Sequence, residues 1–422
     1  MRTIIDVTQL AGWRGKLTGI PRVMYELSTR YALKPNTHLV VWDLSSKQFK
    51  EISIEDIVSR DETTDTGDAS APLNNGRELA KRVAHKIYRI APPSIQTTAR
   101  KLRAAIKTAA SAPIESISGF TFQKNDALLV IWGEWGDGSY RAALKQVVGQ
   151  NNIRMYQMVH DMLPLVTPQY STHSTIPLTE YATEIYPLCT GLISISDNTK
   201  KDVTMWLNQH DITVPPITTV RLGDDFKKAT PVKPSHEFFM SNKDYIVCVG
   251  TIETRKNHTL LYYTYKLAKA RDIMLPPLVV VGRRGWLTEN IYDLMANDPD
   301  TKDQFIFLHD ASDEELAWIY EHSLFSVYPS HYEGWGLPVA ESIAYGIPSI
   351  SSNTSSMPEI AGDIISYFTP TSTDECLSAI KNLLDKNNLK EAKKKLGNYK
   401  TTSWDETFLQ IKGIIGDSND KK

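Results

Sequence analysis

Two carboxylates and a pair of cations are the residues of this chain best placed to do chemistry. Glu333-Gly-Trp-Gly-Leu-Pro-Val-Ala-Glu341 follows the apolar run Leu324–Tyr328 and opens a helix that ends near Gly346. Gly334 and Gly336 fall where that helix begins. A helix N-terminus presents unpaired backbone N–H groups and the positive end of its dipole to an anion. Glycine lets such a ligand come close to the backbone. Glu333 precedes the helix and Glu341 lies about two turns into it, so each can face one end of a bound molecule. The bland reading is a loop acid and a helix that needs glycine to start. Arg255-Lys256 follows the run Asp244–Gly250, in a loop at a strand end. Arg offers a two-toothed fork and Lys a point charge, and together they suit an anionic ligand. A third candidate is His160, which ends the run Ile153–Val159 and is followed by Asp161.

The flanking residues carry a resemblance. The Glu-x7-Glu stretch, Arg255-Lys256 after a strand and glycine, His160-Asp-Met-Leu-Pro-Leu-Val-Thr-Pro-Gln-Tyr170, and the opening Asp6-Val-Thr with Thr18-Gly-Ile-Pro-Arg22 resemble retaining family-4 glycosyltransferases, of the bacterial mannosyl- and rhamnosyltransferase kind that assembles O-antigen. The match is specific over residues 244–410, good over 3–44 and 153–226, and absent from the insertion at 45–120. The resemblance implies that Glu333 meets the donor sugar and Glu341 the ribose. It gives the backbone of Gly334, Trp335, Gly336 and Leu337 to sugar and diphosphate, Arg255 and Lys256 to the diphosphate, His160 to the sugar, and Gly19 with Ile20 to the diphosphate and acceptor. His309 is a candidate near the nucleobase. It also implies catalysis without a metal or other cofactor, and no Asp-x-Asp metal motif stands out. The expected donor is a nucleotide-sugar, GDP-mannose by preference, and the acceptor a glycan or lipid-linked glycan. Rhamnose or another hexose from a dTDP- or UDP-sugar, a sugar-nucleotide epimerase, and a silent sugar- or lipid-binding partner of a polymerase complex stay open.

Strands and helices must position these groups. Alternating strand-like and helical runs predict two doubly wound α/β domains facing across a cleft, the glycosyltransferase type B fold. Residues 1–226 form the first, acceptor-side domain, with Thr3–Thr8 as its first strand, a glycine-rich loop at 12–22 and a helix from Val23. Residues 227–403 form the donor-binding domain, and a C-terminal helix over 404–422 returns to the first. Gly133-Glu-Trp-Gly-Asp-Gly138 is a strand-end loop in which Glu134 or Asp137 either meets an acceptor hydroxyl or shapes a turn.

Composition bounds the rest. The 422 residues are 41% hydrophobic and 23% charged, with a net charge of −2, which argues against a general nucleic-acid binder. Three scattered cysteines argue for a reducing compartment and against a disulfide framework. No leader-like apolar stretch or membrane-length run is legible, so the expectation is a cytoplasmic protein, peripheral at most. Within the insertion, 77–107 carries Lys81, Arg82, Lys86 and Arg89 beside Leu79, Val83 and Ile87 at helical spacing. That pattern reads either as a membrane-surface contact or as a solvated helical segment.

Overall fold

The computed structural model describes residues 2–13, 17–57, 119–171, 174–226, 228–241, 244–285 and 288–416. Two α/β units carry one sheet each. The first sheet is built from β1 (Thr3–Asp6), β2 (Thr37–Asp43), β3 (Gln48–Ile52), β4 (Ala127–Val130), β5 (Arg154–Val159), β6 (Gly191–Ser194) and β7 (Ile217–Thr219). Its order is β3-β2-β1-β4-β5-β6-β7. Every pairing is parallel except β2 with β3. The second sheet comprises β8 (Ile246–Val249), β9 (Leu278–Val281), β10 (Phe305–Leu308), β11 (Ser326–Tyr328), β12 (Ser349–Ser352) and β13 (Ser366–Phe368), ordered β10-β9-β8-β11-β12-β13 and parallel throughout. The central strands are short continuous apolar runs such as Ile-Val-Cys-Val and Leu-Val-Val-Val. Such runs suit strands covered by helices on both faces.

In doubly wound sheets ligands sit outside the carboxyl ends of the strands, where the strand order reverses. Those points lie between β1 and β4 in the first sheet and between β8 and β11 in the second. The Arg255-Lys256 loop leaves β8 and the Glu333 turn leaves β11, so topology alone makes them neighbours. A continuous apolar cluster joins the two units. Val220, Leu222, Trp404 and Ile411 pack in one body with Trp335, Val339, Met357 and Ile360. The helix Trp404–Ile415 lies on the helix Ile20–Ala32, with Phe408 edge-on to Tyr31 at 4.8 Å. Gly223 makes room for Trp404: a Cβ there would stand 2.5 Å from the indole. Cys189, Cys248 and Cys376 are free and buried.

Several expected boundaries move. The first strand stops at Asp6, whose carboxylate accepts the Thr8 N–H at 2.9 Å and turns the chain into the short helix Thr8–Gly12. The next helix starts at Ile20 rather than Val23, with Pro21 in its first turn, where a missing N–H costs nothing. The first-domain sheet ends on Ile217–Thr219. Within the expected insertion, Gln48–Ile52 forms a hairpin with β2 and buries Phe49 against Trp42. The segment 77–107 lies outside the described residues. No described helix is long and apolar enough to cross a membrane.

Candidate active site between the domains

The centre of the site is a buried cluster of charge. Glu333 is 6% exposed, and each of its oxygens has a cation. Oε2 meets the Arg255 guanidinium, and Oε1 lies 2.7 Å from Lys256 Nζ and accepts the Tyr328 hydroxyl at 3.1 Å. Lys256 Nζ also donates to Tyr328. On its other side Arg255 Nη2 lies 2.5 Å from Glu253 Oε1, and Nη1 donates to the Tyr332 carbonyl at 3.0 Å. Burial alone would raise the Glu333 pKa, but Arg255 and Lys256 overcome it and hold the carboxyl at about 2. Burial lowers the Lys256 pKa, with Glu333 working in the opposite sense. Arg255 is raised: burial opposes its charge, but Glu333 and Glu253 outweigh burial. The group is a preorganised set of charges in a buried site, where such charges act strongly.

Backbone bonds hold these loops together. His331 N–H donates to the Arg255 carbonyl at 2.9 Å. Asn257, at φ 60°, caps the helix His258–Ala270, and its amide reaches the carbonyls of Pro329 and Pro370 at 3.0 and 2.8 Å. The Glu333 turn is supported from below: its N–H donates to Ser355 Oγ at 2.9 Å, and Ser356 Oγ bonds the carbonyls of Glu333 and Trp335.

The helix expected after the glycines is Leu337–Ala344, with Gly336 as its N-cap at φ 118° and no side chain capping it. Gly334 and Gly336 are needed for close packing as well as for ligand approach. A Cβ on Gly334 would stand 2.0 Å from the His160 carbonyl of the other domain. One on Gly336 would meet Ile360 and Met357 within 2.9 Å. The Trp335 side chain is buried in the interdomain cluster under Arg221, so only its backbone remains for a ligand. Glu341 faces Tyr320 and, at 3.7 Å, Arg22 of the first domain. Burial raises its pKa and Arg22 works against that. Gly19 holds φ 58° at the start of the helix opened by Ile20, and a Cβ there would meet nothing within 4 Å among the described residues.

His160 sits at the end of β5, 4% exposed, with Nε2 2.9 Å from the Ile131 carbonyl and its ring beside Trp132. A carbonyl only accepts, so Nε2 carries the proton and Nδ1 is a bare acceptor. That acceptor is buried and has no partner among the described residues. Burial lowers the pKa to about 4, so the ring is neutral at neutral pH. Asp161 accepts the Leu163 N–H at 3.0 Å and shapes the turn. His309 lies apart from this centre, at the end of β10, beside Tyr292 and Phe307 and 3.0 Å from the Gly282 carbonyl. The two acids of the 133–138 loop separate. Asp137 caps the helix Gly138–Asn151 and accepts the Trp42 indole N–H at 2.8 Å, which makes it structural. Glu134 accepts from Gln9 at 2.6 Å.

The structure thus brings Glu333, Arg255 and Lys256 into contact, sets His160 against Gly334, and puts Glu341 opposite Arg22. Sequence reasoning overlooked Glu253, Tyr328, Tyr332 and Ser356. Only Glu253 carried a usable signal, an acid two residues before the cationic pair at a strand end. Among the described residues no group of three or more His, Cys, Asp or Glu is placed to hold a metal ion.

Residues 233–402 match the family model described as "Glycosyl transferases group 1". The O-antigen chain mannosyltransferase B of Escherichia coli is 26% identical over 260 residues, 60% of this chain and 67% of that protein. The serotype-specific mannosyltransferase WbdA of Escherichia coli is 27% identical over 245 residues, 54% of this chain but only 29% of its own length. Among solved structures, that of HepE from Anabaena in complex with UDP-glucose covers 99% of this chain and 100% of its own, with a TM-score of 0.61 and 11% identity. This last likeness carries the fold alone, the glycosyltransferase type B arrangement of two facing parallel-sheet domains. The charged cluster around Glu333 lies inside the matched segment, so the site falls in a region that matches the glycosyltransferase group 1 domain.

Proposed function

We propose that the chain transfers mannose from GDP-mannose, with retention of anomeric configuration, to a hydroxyl of a growing lipid-linked glycan such as lipopolysaccharide O-antigen. The mannosyltransferase relatives support the sugar. The observation that carries the reading is the buried Glu333–Arg255–Lys256 cluster beside an uncapped helix N-terminus. In the transfer, the bond from the anomeric carbon to the diphosphate oxygen breaks and a bond from that carbon to the acceptor oxygen forms on the same face. The leaving phosphate oxygen takes the acceptor's proton. Arg255, Lys256 and the N–H groups before Val339 offset the charge that develops on the diphosphate. A diphosphate that draws the cations toward itself frees Glu333 to accept from a sugar hydroxyl. His160 Nδ1 is a second acceptor for one, and Glu341 takes the ribose. Fixed cations make a metal unnecessary in this scheme. The basic segment 77–107 would hold the enzyme at an anionic leaflet, each nearby Lys or Arg contributing about 1 kcal/mol.

The test is a thermal-shift panel of GDP-, UDP- and dTDP-sugars, followed by NMR of the product made with the sugar that binds. Stabilisation by GDP-mannose and an α-linked product, with activity indifferent to EDTA, is expected. An inverted product, or activity lost to EDTA and restored by manganese, overturns the reading.

A further inference from the structure

Glu253 stands out among the groups this mechanism leaves unused. It is 2% exposed, yet it carries a carboxyl group. Its place is enforced from two sides. The loop after β9 packs on it: Gly285 N–H donates to the Ile252 carbonyl at 2.7 Å, and a Cβ on Gly285 would stand 3.3 Å from the Glu253 Cβ. On its own loop, Glu253 Oε1 lies 2.5 Å from Arg255 Nη2. Arg255 is therefore bracketed by two acids, Glu253 on one fork tip and Glu333 on the other. The charged groups acting on Glu253 are Arg255 and Lys256 from its own loop and Glu333 from the turn after β11.

The two acids differ in one respect. Both oxygens of Glu333 have partners, whereas Glu253 Oε2 is buried with none among the described residues. As it stands the set is neutral, two carboxylates against two cations. A nucleotide-sugar diphosphate brings two further negative charges to the same cations. Four negative charges against two in a buried site is a costly arrangement. A proton relieves it, and Glu253 is the acid that loses least by taking one. Protonated, it keeps Oε1 as the acceptor for Arg255, and Oε2 changes from an unpartnered acceptor into a donor. Glu333 could take a proton only by giving up contacts that its own oxygens already make.

Resting on the proposed nucleotide-sugar donor, we propose that Glu253 is a positioning residue that sets the Arg255 fork for the diphosphate and takes up a proton when the donor binds. Burial already raises its affinity for that proton, with Arg255 and Lys256 acting against burial. Uptake makes donor binding tighter as pH falls. The dissociation constant should rise with pH by up to tenfold per unit between the free and the donor-bound pKa of Glu253.

The test is calorimetric titration of the full-length protein with GDP-mannose, UDP-glucose and a dTDP-hexose at pH 7, in PIPES, HEPES and Tris. Their diphosphates have no group that titrates near neutrality, so any proton exchanged belongs to the protein. For the sugar that binds, the observed enthalpy plotted against buffer ionisation enthalpy should have a positive slope, approaching one proton per site. Glu253→Gln, which keeps the Oε1 acceptor, should bind with a slope near zero and a pH-independent dissociation constant. Glu253→Ala, which leaves that side of the fork unpaired, should bind at least tenfold more weakly at every pH. Zero slope in the wild type overturns the inference without any variant. A slope that persists in Glu253→Gln places the proton elsewhere, as on Glu341, and also overturns it. Binding of none of the three sugars is a different failure, which removes the donor reading itself.

Discussion

Glu333 combines two tasks that a single buried carboxylate can serve only in a charged setting. It pairs with both Arg255 and Lys256, and it lies where the reacting sugar is proposed to sit. Removing it should therefore affect more than turnover. Glu333→Gln should lower kcat strongly and leave the affinity for nucleotide little changed, because the cations stay in place. It should also destabilise the fold by about 3–5 kcal/mol, the usual cost of breaking a buried pair. The pH dependence gives a second readout. The folded carboxyl titrates at about 2, below its ordinary 4.5. Its contribution is fully present above pH 4.5 and is lost as pH falls through 2. The gap in Tm between wild type and Glu333→Gln should thus be widest above pH 4.5 and close toward pH 2 in a calorimetric series. Glu341→Ala should instead weaken nucleotide binding, by about 1.5–3 kcal/mol, through a lost hydrogen bond to a charged acceptor. Titration calorimetry beside steady-state rates separates the two, and equal behaviour of the two variants contradicts the division of roles.

At the scale of elements, the site depends on two strand-end loops and on a third segment that supports them. Ser356 opens the helix Met357–Ala361 and bonds two carbonyls of the Glu333 turn. Ser356→Ala leaves the carbonyls of Glu333 and Trp335 without it in a buried place, at about 1–3 kcal/mol. The expected result is a lower Tm together with a raised donor KM, since the turn that carries Glu333 loosens. A fall in Tm with unchanged kinetics would show that the turn holds its shape without Ser356. The segment Asn353–Met357 is thus a support for the acid. Nothing in its composition says so, because a serine hydroxyl bonds whichever carbonyl the fold brings to it.

Across the whole molecule, contacts between the domains bring the two strand-end surfaces together. Glu359 of the second domain accepts the N–H groups of Asp197 and Asn198 at 2.7 and 2.8 Å, capping a helix of the first. Tyr332 donates to Asp202 at 2.6 Å, and Tyr170 stacks on His331 at 5.1 Å. Arg221 reaches the Ile360 carbonyl, Asp224 and the Tyr399 hydroxyl, where the two crossing chains meet. Gly334 lies against the His160 carbonyl in the middle of this surface. Gly334→Ala should force the domains apart without unfolding either. We expect a larger radius of gyration by small-angle scattering and a fall in kcat of tenfold or more. Glu359→Ala, which removes a cap of about 1 kcal/mol, should show the same change in a milder form. A Gly334→Ala enzyme with wild-type scattering and turnover would remove this account of the glycine.

Much of the fold was readable from local pattern. Short apolar runs separated by helical spacing specify parallel strands with crossover helices, and a strand-glycine-loop-helix order places ligand contacts at carboxyl ends. That located Arg255 and Lys256 after β8 and Glu333 after β11, the strand ends at which the structure has them. It failed at Gln48–Ile52, where a polar pentapeptide becomes a strand because β2 offers an edge and Phe49 a place against Trp42. It failed also at Glu253, an acid whose meaning depends on a loop from β9 burying it and on Glu333 arriving at the far side of Arg255. The sequence by itself determined which groups could do chemistry and at which strand ends they stand. Tertiary structure decided which of them touch, that Gly334 faces His160, that Trp335 turns inward, and which carboxylate has an oxygen with no partner among the described residues. Those outcomes depend on distances between residues far apart in the chain, and no local spacing encodes them.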